Sequence, residues 1–360
     1  MNTRRALSWL ALPIALFAYA GCQKTKWKDY DPTASPSANE SAAPLPSVLP
    51  DPVEALHQRT YAIEVHDDLV HAGTTAGVVS WNLSDPTVPK RVASLTLRGS
   101  VQHLAQMPDT SLLVVSTGPS GVALVDTKEA REGKLTLLNP HPWPTELRKA
   151  CHAAWHAALL DSKTAVVACG GSGVIRLDVS DPTAPVLKKQ VLIPGYARDI
   201  AVLGKKGVVA AGRKGVALID FGNAVPRVME QLDLNADARA VAIHDQVAYV
   251  AAGERGLVMV DISHAPLRIL GELLPKTTDM ARGIALSESH AFLCLGDSGL
   301  AVIDITDPAK PTELSRFDPK GAVNRATRNG SQLLIANDAY GVAVLDVSNP
   351  KTPALMTRER

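Results

Sequence analysis

The chain has 360 residues and carries 37 Lys and Arg against 36 Asp and Glu, which gives a formal net charge of +1. Because the basic residues are scattered and balanced by acids, the chain lacks the basic surface on which nucleic-acid binding rests, and no nucleic-acid partner is expected. Aromatic residues make up only 4% of the chain, which argues against an extensive stacking platform for sugars or bases.

The first 22 residues have the pattern of an export signal. Arg4 and Arg5 precede an apolar run over residues 6–18, which is too short to span a bilayer stably. Gly21-Cys22 resembles the end of a bacterial lipobox, whose cysteine is lipidated after cleavage, although Tyr19 stands where Leu is usual. Residues 1–22 are therefore predicted to be a lipoprotein-type signal peptide.

This signal predicts a location in the bacterial cell envelope. The expected partner is a membrane, reached through a lipid on Cys22, at the outer membrane or the cell surface. A secreted or periplasmic protein is the alternative. Residues 23–55 are rich in Ser, Pro and Ala and have no apolar periodicity, so they cannot bury enough surface to order themselves and are predicted to form a disordered tether.

Seven copies of one short phrase occupy the rest of the chain. Each copy begins with Gly, continues as an apolar, largely β-branched run, and has Asp or Asn five residues after the Gly. The glycines stand 41 to 52 residues apart, and a period of this size in strand-like sequence marks a repeat architecture. They are Gly77, Gly121, Gly173, Gly215, Gly256, Gly299 and Gly341.

Each repeat contains four strand-like runs, as residues 237–274 show most clearly. A four-stranded sheet with two apolar faces cannot stand alone in water, whereas seven such sheets arranged radially cover one another. Residues 56–360 are therefore predicted to be all-β, a seven-bladed β-propeller of four-stranded antiparallel blades with almost no helix. The ring is expected to close by packing or through a strand from residues 53–59.

The repeat phrases resemble the LVIVD repeat family of bacterial β-propeller proteins and lipoproteins. The resemblance rests on the phrase over residues 194–202, followed by Gly215-Val-Ala-Leu-Ile-Asp220, and on the pattern Gly-Leu-x-Val-x-Asp-Ile-Ser/Thr-Asp-Pro. Asn82 departs from it, because the first copy has Asn where the others have Asp. The resemblance implies the propeller architecture and no particular function.

Arginine recurs at the start of the predicted first strand of several repeats, which should line one mouth of the central channel. Two interpretations are open: the guanidinium groups bind a small anion such as a carboxylate or phosphate, or they brace the blades by pairing with acids such as Asp199, Asp237 and Asp279. Recurrence with the repeat favours bracing. The second and third repeats offer Gln102 or His103 and Trp155 or His156 at this level. The arginines are Arg59, Arg198, Arg239, Arg282 and Arg325.

The step from the second to the third repeat carries an insertion over residues 139–150. Insertions in repeat proteins tend to map to binding loops, so this segment is a candidate contact for a ligand or a partner protein. Its candidate contact residues, which include the histidines just after it, are His141, Trp143, His152, Trp155 and His156. The histidines and Cys151 show no recognised metal-ligand spacing, and whether Cys151 pairs with Cys169 is open at this stage.

These patterns predict a non-enzymatic binding or interaction module on the bacterial envelope, which contacts a protein or a small anion at the channel mouth and the insertion. No catalytic residue, cofactor or metal ligand set is assigned. The alternative is a propeller enzyme of the hydrolase or lyase type, with a polar or metal site in the central channel.

Overall fold

The computed structural model describes residues 58–359, so Cys22 and the predicted signal and tether lie outside the described residues. The described part forms seven sheets, each of four consecutive antiparallel strands. The first strand of every sheet lies beside the first strand of the next, and β1 also lies beside β25, so the seven sheets make a ring. The prediction of a seven-bladed β-propeller is confirmed.

The strands follow one another without crossovers, four to a blade. The first three blades comprise β1 Thr60–His66, β2 Leu69–Thr74, β3 Gly77–Asn82, β4 Lys90–Thr96; β5 His103–Gln106, β6 Leu112–Ser116, β7 Val122–Asp126, β8 Thr136–Leu137; and β9 His156–Asp161, β10 Thr164–Ala168, β11 Val174–Asp178, β12 Val186–Val191. One short helix, α1 Thr145–Ala150, precedes β9 and is the only helix within residues 58–359.

The other four blades repeat the same order with nearly constant strand lengths. They comprise β13 Asp199–Leu203, β14 Lys206–Ala210, β15 Val216–Asp220, β16 Arg227–Leu232; β17 Ala240–His244, β18 Val247–Ala251, β19 Leu257–Asp261, β20 Arg268–Leu273; β21 Gly283–Leu286, β22 His290–Cys294, β23 Leu300–Asp304, β24 Thr312–Phe317; and β25 Arg325–Asn329, β26 Gln332–Ala336, β27 Val342–Asp346, β28 Ala354–Glu359.

The hydrophobic core is divided among the interfaces between blades. Val208 and Leu218 of the fourth blade, for example, pack with Val250 and Val258 of the fifth. The two middle strands of each blade are buried on both faces, which is why they read as continuous apolar runs. Burial is therefore shared around the ring, and no single central core is needed.

At six of the seven junctions a backbone bridge joins one blade to the next at the turn between its second and third strands. In the fourth blade, Gly212 N–H donates to Ala238 C=O at 3.2 Å, and Ala238 N–H donates back to Gly212 C=O at 3.0 Å. The turn residue has φ between 47° and 61° in six blades, a left-handed conformation that Gly takes freely. The bridged pairs are Gly118–Ala154, Gly170–Ala197, Gly212–Ala238, Gly253–Ala281, Gly296–Val323 and Asp338–Thr60.

The glycine that marks each repeat ends this same turn. Gly215 has φ of +73°, and a Cβ there would lie 2.1 Å from the carbonyl oxygen of Leu232 in the outer strand. No side chain fits between the turn and the outer strand at this position. In five blades the repeat glycine thus marks a close approach to the backbone of the outer strand, and in the second blade it marks a close approach to the ring of Trp143.

The acid that ends the phrase caps the turn after the third strand. Asp261 Oδ1 accepts the backbone N–H of Ser263 at 2.9 Å, and Asp304 Oδ1 accepts that of Thr306 at the same distance. Asn82 Oδ1 does the same for Ser84 at 2.7 Å. The amide serves in the first copy because the turn needs only an acceptor.

The ring closes by packing and by one bridge between the last blade and the first. Residues of both blades share a core cluster, in which Val70 and Val79 meet Leu334 and Val344. Thr60 N–H donates to Asp338 C=O at 2.9 Å. The last strand, β28, is the outer strand of the seventh blade. Within residues 58–359 no helix is long and apolar enough to cross a membrane.

We expect Gly215→Ala to lower the free energy of unfolding by more than about 2 kcal/mol, since it combines left-handed backbone strain with a backbone collision. Gly204→Ala is the matched control, because Gly204 has φ of +58° but open space around its Cβ position. The control should lose only about 1 kcal/mol, the cost of the left-handed conformation alone. Urea unfolding measures both variants, and equal losses would contradict the explanation of the repeat glycine.

Candidate ligand site at the channel mouth

One residue from each blade lines one mouth of the central channel. Each of these residues directly follows a residue whose backbone is bonded to the preceding blade, so the bridges fix where the side chains start. They surround a cavity of about 250 Å³, with Arg325 beneath them. The seven mouth residues are Tyr61, Gln102, Trp155, Arg198, Arg239, Arg282 and Asn324.

The positive charge of the mouth is concentrated on one side. Blades four to six contribute Arg198, Arg239 and Arg282, whereas blades one to three contribute neutral aromatic and amide side chains. Two of the three guanidinium groups share one nearby carboxylate, because Asp237 Oδ1 lies 3.4 Å from Arg198 Nε and Asp237 Oδ2 lies 3.0 Å from Arg239 Nε. This side of the mouth therefore carries more positive than negative charge.

Arg282 has a neutral partner. Its guanidinium donates to Asn324 Oδ1 at 3.3 Å, while its Nε is buried without a hydrogen bond. The acid considered as its partner, Asp279, instead accepts a hydrogen bond from Ser298 Oγ at 2.6 Å. The bracing interpretation thus describes Arg198 and Arg239, which share Asp237, better than it describes Arg282.

An aromatic pair supports the neutral side of the mouth. The rings of Trp155 and Tyr196 lie 6.1 Å apart, and the guanidinium of Arg198 lies 5.4 Å above the ring of Tyr196. Tyr196 therefore contacts one mouth residue from each side. Contacts of this kind restrict the rotamers of both neighbours, so the mouth is partly ordered before any ligand arrives.

Below the mouth lies a polar layer to which four blades contribute the residue that directly follows their mouth residue. Arg325 donates to Asp199 Oδ2 at 2.7 Å, and His156 Nε2 lies 3.1 Å from Asp199 Oδ1. His103 stacks on His156 with ring centroids 3.4 Å apart. Burial, together with the positive charge of Arg325, holds the pKa of both imidazoles well below the usual range of histidine.

The structure places the predicted arginines at three different levels. Arg198, Arg239 and Arg282 meet at the mouth, and Arg325 lies one position deeper. Arg59 lies outside the mouth, where its side chain is 60% exposed and stands 3.8 Å from Asp338. Asn324 was not among the predicted site residues, although it lies 17 residues before Gly341, the same spacing that the three mouth arginines keep from the glycines of their own repeats.

Tyr61 was also missed, for a local reason. The register of the first blade slips between Thr60 and Ala62, which places Tyr61 in the mouth in the place expected for Arg59. A one-residue irregularity of this kind shifts every later side chain, and repeat spacing alone does not reveal it.

The insertion over residues 139–150 packs against the second blade. Trp143 is 2% exposed, and its ring covers Gly121, where a Cβ would lie 2.5 Å from the indole. Asn139 Oδ1 accepts Leu124 N–H at 2.7 Å and its Nδ2 donates to Val122 C=O at 3.0 Å. Because β8 has only two residues, the side-chain amide of Asn139 makes hydrogen bonds to β7 that a longer outer strand would otherwise make.

The histidines near the insertion are dispersed. His141 Nε2 lies 3.0 Å from Arg98 C=O, His152 Nδ1 lies 2.7 Å from Ser172 Oγ, and His156 lies in the channel. Cys151 forms a disulfide with Cys169, which settles the pairing that the sequence left open, and Cys294 is a buried thiol. Residues 58–359 contain no group of three or more His, Cys, Asp or Glu that could hold a metal ion.

A second polar row lies between the first and second blades. Glu64, His71 and Ser80 are in register across β1, β2 and β3, and His71 Nδ1 is hydrogen-bonded to Ser80 Oγ at 2.8 Å. Burial lowers the pKa of His71 to about 4. His71 and Ser80 are both 0% exposed, so this row is part of an interface and offers no access to a substrate.

The lowered pKa values of the channel imidazoles make stability depend on pH. A His103 whose pKa is lowered in the folded state binds fewer protons than in the unfolded state, so stability falls as pH drops below about 6.5, the usual histidine pKa. His103→Phe keeps a ring against His156 and removes one titrating group. We expect the variant to lose less stability between pH 7 and pH 5, by up to about 1.4 kcal/mol per pH unit. Urea unfolding at several pH values tests this, and parallel curves for parent and variant would contradict it.

Comparison with known proteins identifies the repeats. The LVIVD repeat family matches residues 165–192, 235–265, 279–319 and 330–358, which lie in blades three, five, six and seven. A search of curated proteins finds no match.

Several solved structures are similar in fold at low sequence identity. U3-55K aligns with a TM-score of 0.62 and 11% identity over 77% of this chain and 88% of its own. The computationally designed protein Ika8 aligns with a TM-score of 0.57 and 14% identity over 79% and 82% of the two chains. PorZ, described as an essential bacterial surface component of the type-IX secretion system of Porphyromonas gingivalis, aligns with a TM-score of 0.58 and 14% identity, over 83% of this chain but 38% of PorZ.

These likenesses concern the fold alone. The family match is more specific, because it coincides with the glycine-led phrases from which the blades are built. The chain is therefore a seven-bladed β-propeller that carries LVIVD repeats.

Proposed function

We propose that this protein is a binding module that takes an anionic group, a carboxylate or a phosphate, at the channel mouth. The LVIVD-repeat propeller fold suggests a binding or interaction module, and the mouth supplies the specific chemistry. The observation that carries the proposal is the meeting of Arg198, Arg239 and Arg282 around one cavity with Asp237 as the only carboxylate that pairs with them among the described residues. An anion there adds the missing negative charge.

The geometry favours a preorganised site. Guanidinium groups present planar donor pairs that match carboxylate and phosphate oxygens. Each of the three arginines follows a bridged alanine, so the backbone from which it projects is fixed to two blades. Ordering before binding lowers the entropic cost of association.

The exposed side of α1, with Glu146, Arg148 and Lys149, is the proposed contact of the insertion with a protein partner.

The enzyme alternative has candidate residues but no reactive group among them. Asp199 is held by Arg325, and the ring of His103, which is half-buried, is stacked on the buried ring of His156. Burial raises the pKa of the Cys294 thiol to about 12, so this thiol stays protonated and is a poor nucleophile. The polar layer below the mouth is therefore better suited to holding the mouth residues in place than to catalysis.

The anion site is tested by thermal melts of the parent and of Arg282→Ala with and without phosphate or succinate. We expect millimolar anion to raise the parent Tm by several degrees and to leave Arg282→Ala unchanged, since ligand binding stabilises only a protein that holds the site. Arg227→Ala, on the outer strand of the fourth blade, is the control and should respond like the parent.

The same melts distinguish binding from bracing. If the arginine only braces the blades, Arg282→Ala should lose about 1 to 3 kcal/mol of stability through unpaired partners, and neither protein should respond to anion. That combined result would contradict the proposed function. Removal of one of several like charges should instead leave the stability without anion nearly unchanged or slightly higher.

We also propose that the module is attached to the bacterial envelope through Cys22. The proposal rests on the signal and the Gly21-Cys22 pair, and the Cys151–Cys169 disulfide suits an oxidising compartment outside the cytosol.

Fractionation of cells that express Cys22→Ala tests this attachment. The parent should partition with membranes and enter the detergent phase. The variant should be soluble or remain unprocessed, because it lacks the thiol that would be acylated. Unchanged membrane partitioning of the variant would rule out lipidation at this residue.

A further inference from the structure

The channel mouth has two chemically different sides. Its arginines belong to blades four to six, whereas the aromatic residues of its lining, Tyr61 and Trp155, belong to blades one and three. The blades follow chain order around the ring. Arg239 of the fifth blade therefore stands across from the boundary between blades one and two, and Arg282 of the sixth stands across from the boundary between blades two and three. A ligand whose negative group lies at the arginines has the rest of its body on the aromatic side.

The volume of the mouth limits the size of that body. The cavity holds about 250 Å³, which is below the range of roughly 300–1,000 Å³ that is usual for ligand pockets. Arg325 forms part of its lining and is held from below by Asp199 at 2.7 Å. The mouth therefore suits a ligand with one acidic group and about one ring.

The aromatic side chains of the mouth are held in place. The ring of Trp155 meets that of Tyr196 at 57°, and the guanidinium of Arg198 covers Tyr196. Tyr61 follows Thr60, whose N–H is bonded to Asp338 C=O of the last blade. Tyr and Trp offer a large contact area at a low cost in conformational entropy. The two rings thus present a partly ordered surface to a ligand.

Electrostatics sets the direction in which an aromatic acid would lie. The face of an aromatic ring carries negative charge, so a carboxylate avoids the faces of Tyr61 and Trp155, whereas a second ring stacks on them with an offset or meets them edge to face. The carboxylate is drawn to the arginines instead. Among the described residues Arg282 is bonded only to the neutral amide of Asn324, at 3.3 Å, so its charge is available to a ligand.

We infer that the preferred ligand is a small aromatic carboxylic acid, bound with its carboxylate toward Arg239 and Arg282 and its ring against Tyr61 and Trp155. This inference rests on the proposed function and adds the class of ligand. Such an acid uses both sides of the mouth. Acetate or phosphate uses only the arginines and leaves the aromatic rings in contact with water.

Four simple compounds test the inference. Isothermal titration calorimetry compares benzoate with cyclohexanecarboxylate, which keeps the charge and a six-membered ring but is not aromatic, with acetate, which lacks the ring, and with benzamide, which lacks the charge. We expect benzoate to bind about fivefold more tightly than cyclohexanecarboxylate, the scale of one aromatic pair, and at least about tenfold more tightly than acetate or benzamide.

Substitutions on the aromatic side place the ring of the ligand. Trp155→Leu and Tyr61→Leu should each reduce the preference for benzoate over cyclohexanecarboxylate, whereas Trp155→Phe, which keeps a ring, should retain most of it. Tyr340→Leu is the matched control, because Tyr340 is a partly exposed tyrosine outside the lining of the cavity, and it should behave as the parent. The rise of Tm with phosphate should persist in all four variants and shows that the arginine side is intact.

The outcomes separate this inference from the proposed function. If phosphate and succinate stabilise the parent but benzoate binds no more tightly than cyclohexanecarboxylate, the aromatic acid is excluded and the anion site survives. If the preference for benzoate is unchanged in both leucine variants of the mouth, or if benzamide binds as tightly as benzoate, the placement of the ligand is wrong. If no anion has any effect, the proposed function itself fails.

Discussion

The structure depends on one repeated backbone contact, the bridge between the turn of one blade and the start of the next. The turn residue must adopt a left-handed conformation to present its N–H and C=O sideways, and the repeat glycine three residues later must have no side chain. Gly212 and Gly215 illustrate the two requirements within one turn. The apolar faces supply most of the favourable free energy, but the bridges set the angle and spacing at which they meet.

The same contact determines what the channel mouth can do. The residue after each bridged position starts from a fixed backbone and enters the channel, so the chemistry of the mouth is set by seven side chains. Three are arginines on neighbouring blades, and their mutual repulsion is relieved only in part by Asp237. A rigid ring that holds like charges together is an arrangement suited to binding an anion, because the cost of assembling the charges is met during folding.

Much of the fold followed from the sequence, because the glycine and the acid recur for steric and hydrogen-bonding reasons that hold in every blade. The residues of the candidate site could be predicted from the sequence less completely. Asn324 was missed because it lacks the charge that marks its neighbour Arg325. Tyr61 was missed because it reaches the mouth through a register slip in the first blade that the sequence pattern does not show. Trp143 was a candidate contact residue because it lies in the insertion, yet its ring is buried against Gly121. Tertiary packing decides such cases, and local patterns do not report it.

Hydrogen exchange of the bridge amides tests the central role of the inter-blade contacts most directly. Ala238 and Gly212 donate to each other across two blades, whereas the hairpin turn at Gly204 has open space around it. The account predicts that the amides of Gly212 and Ala238 exchange at least about 100-fold more slowly than those of residues 204–205, since they open only when blades separate. Exchange at the rate of an exposed turn would show that the bridges do not hold the ring together.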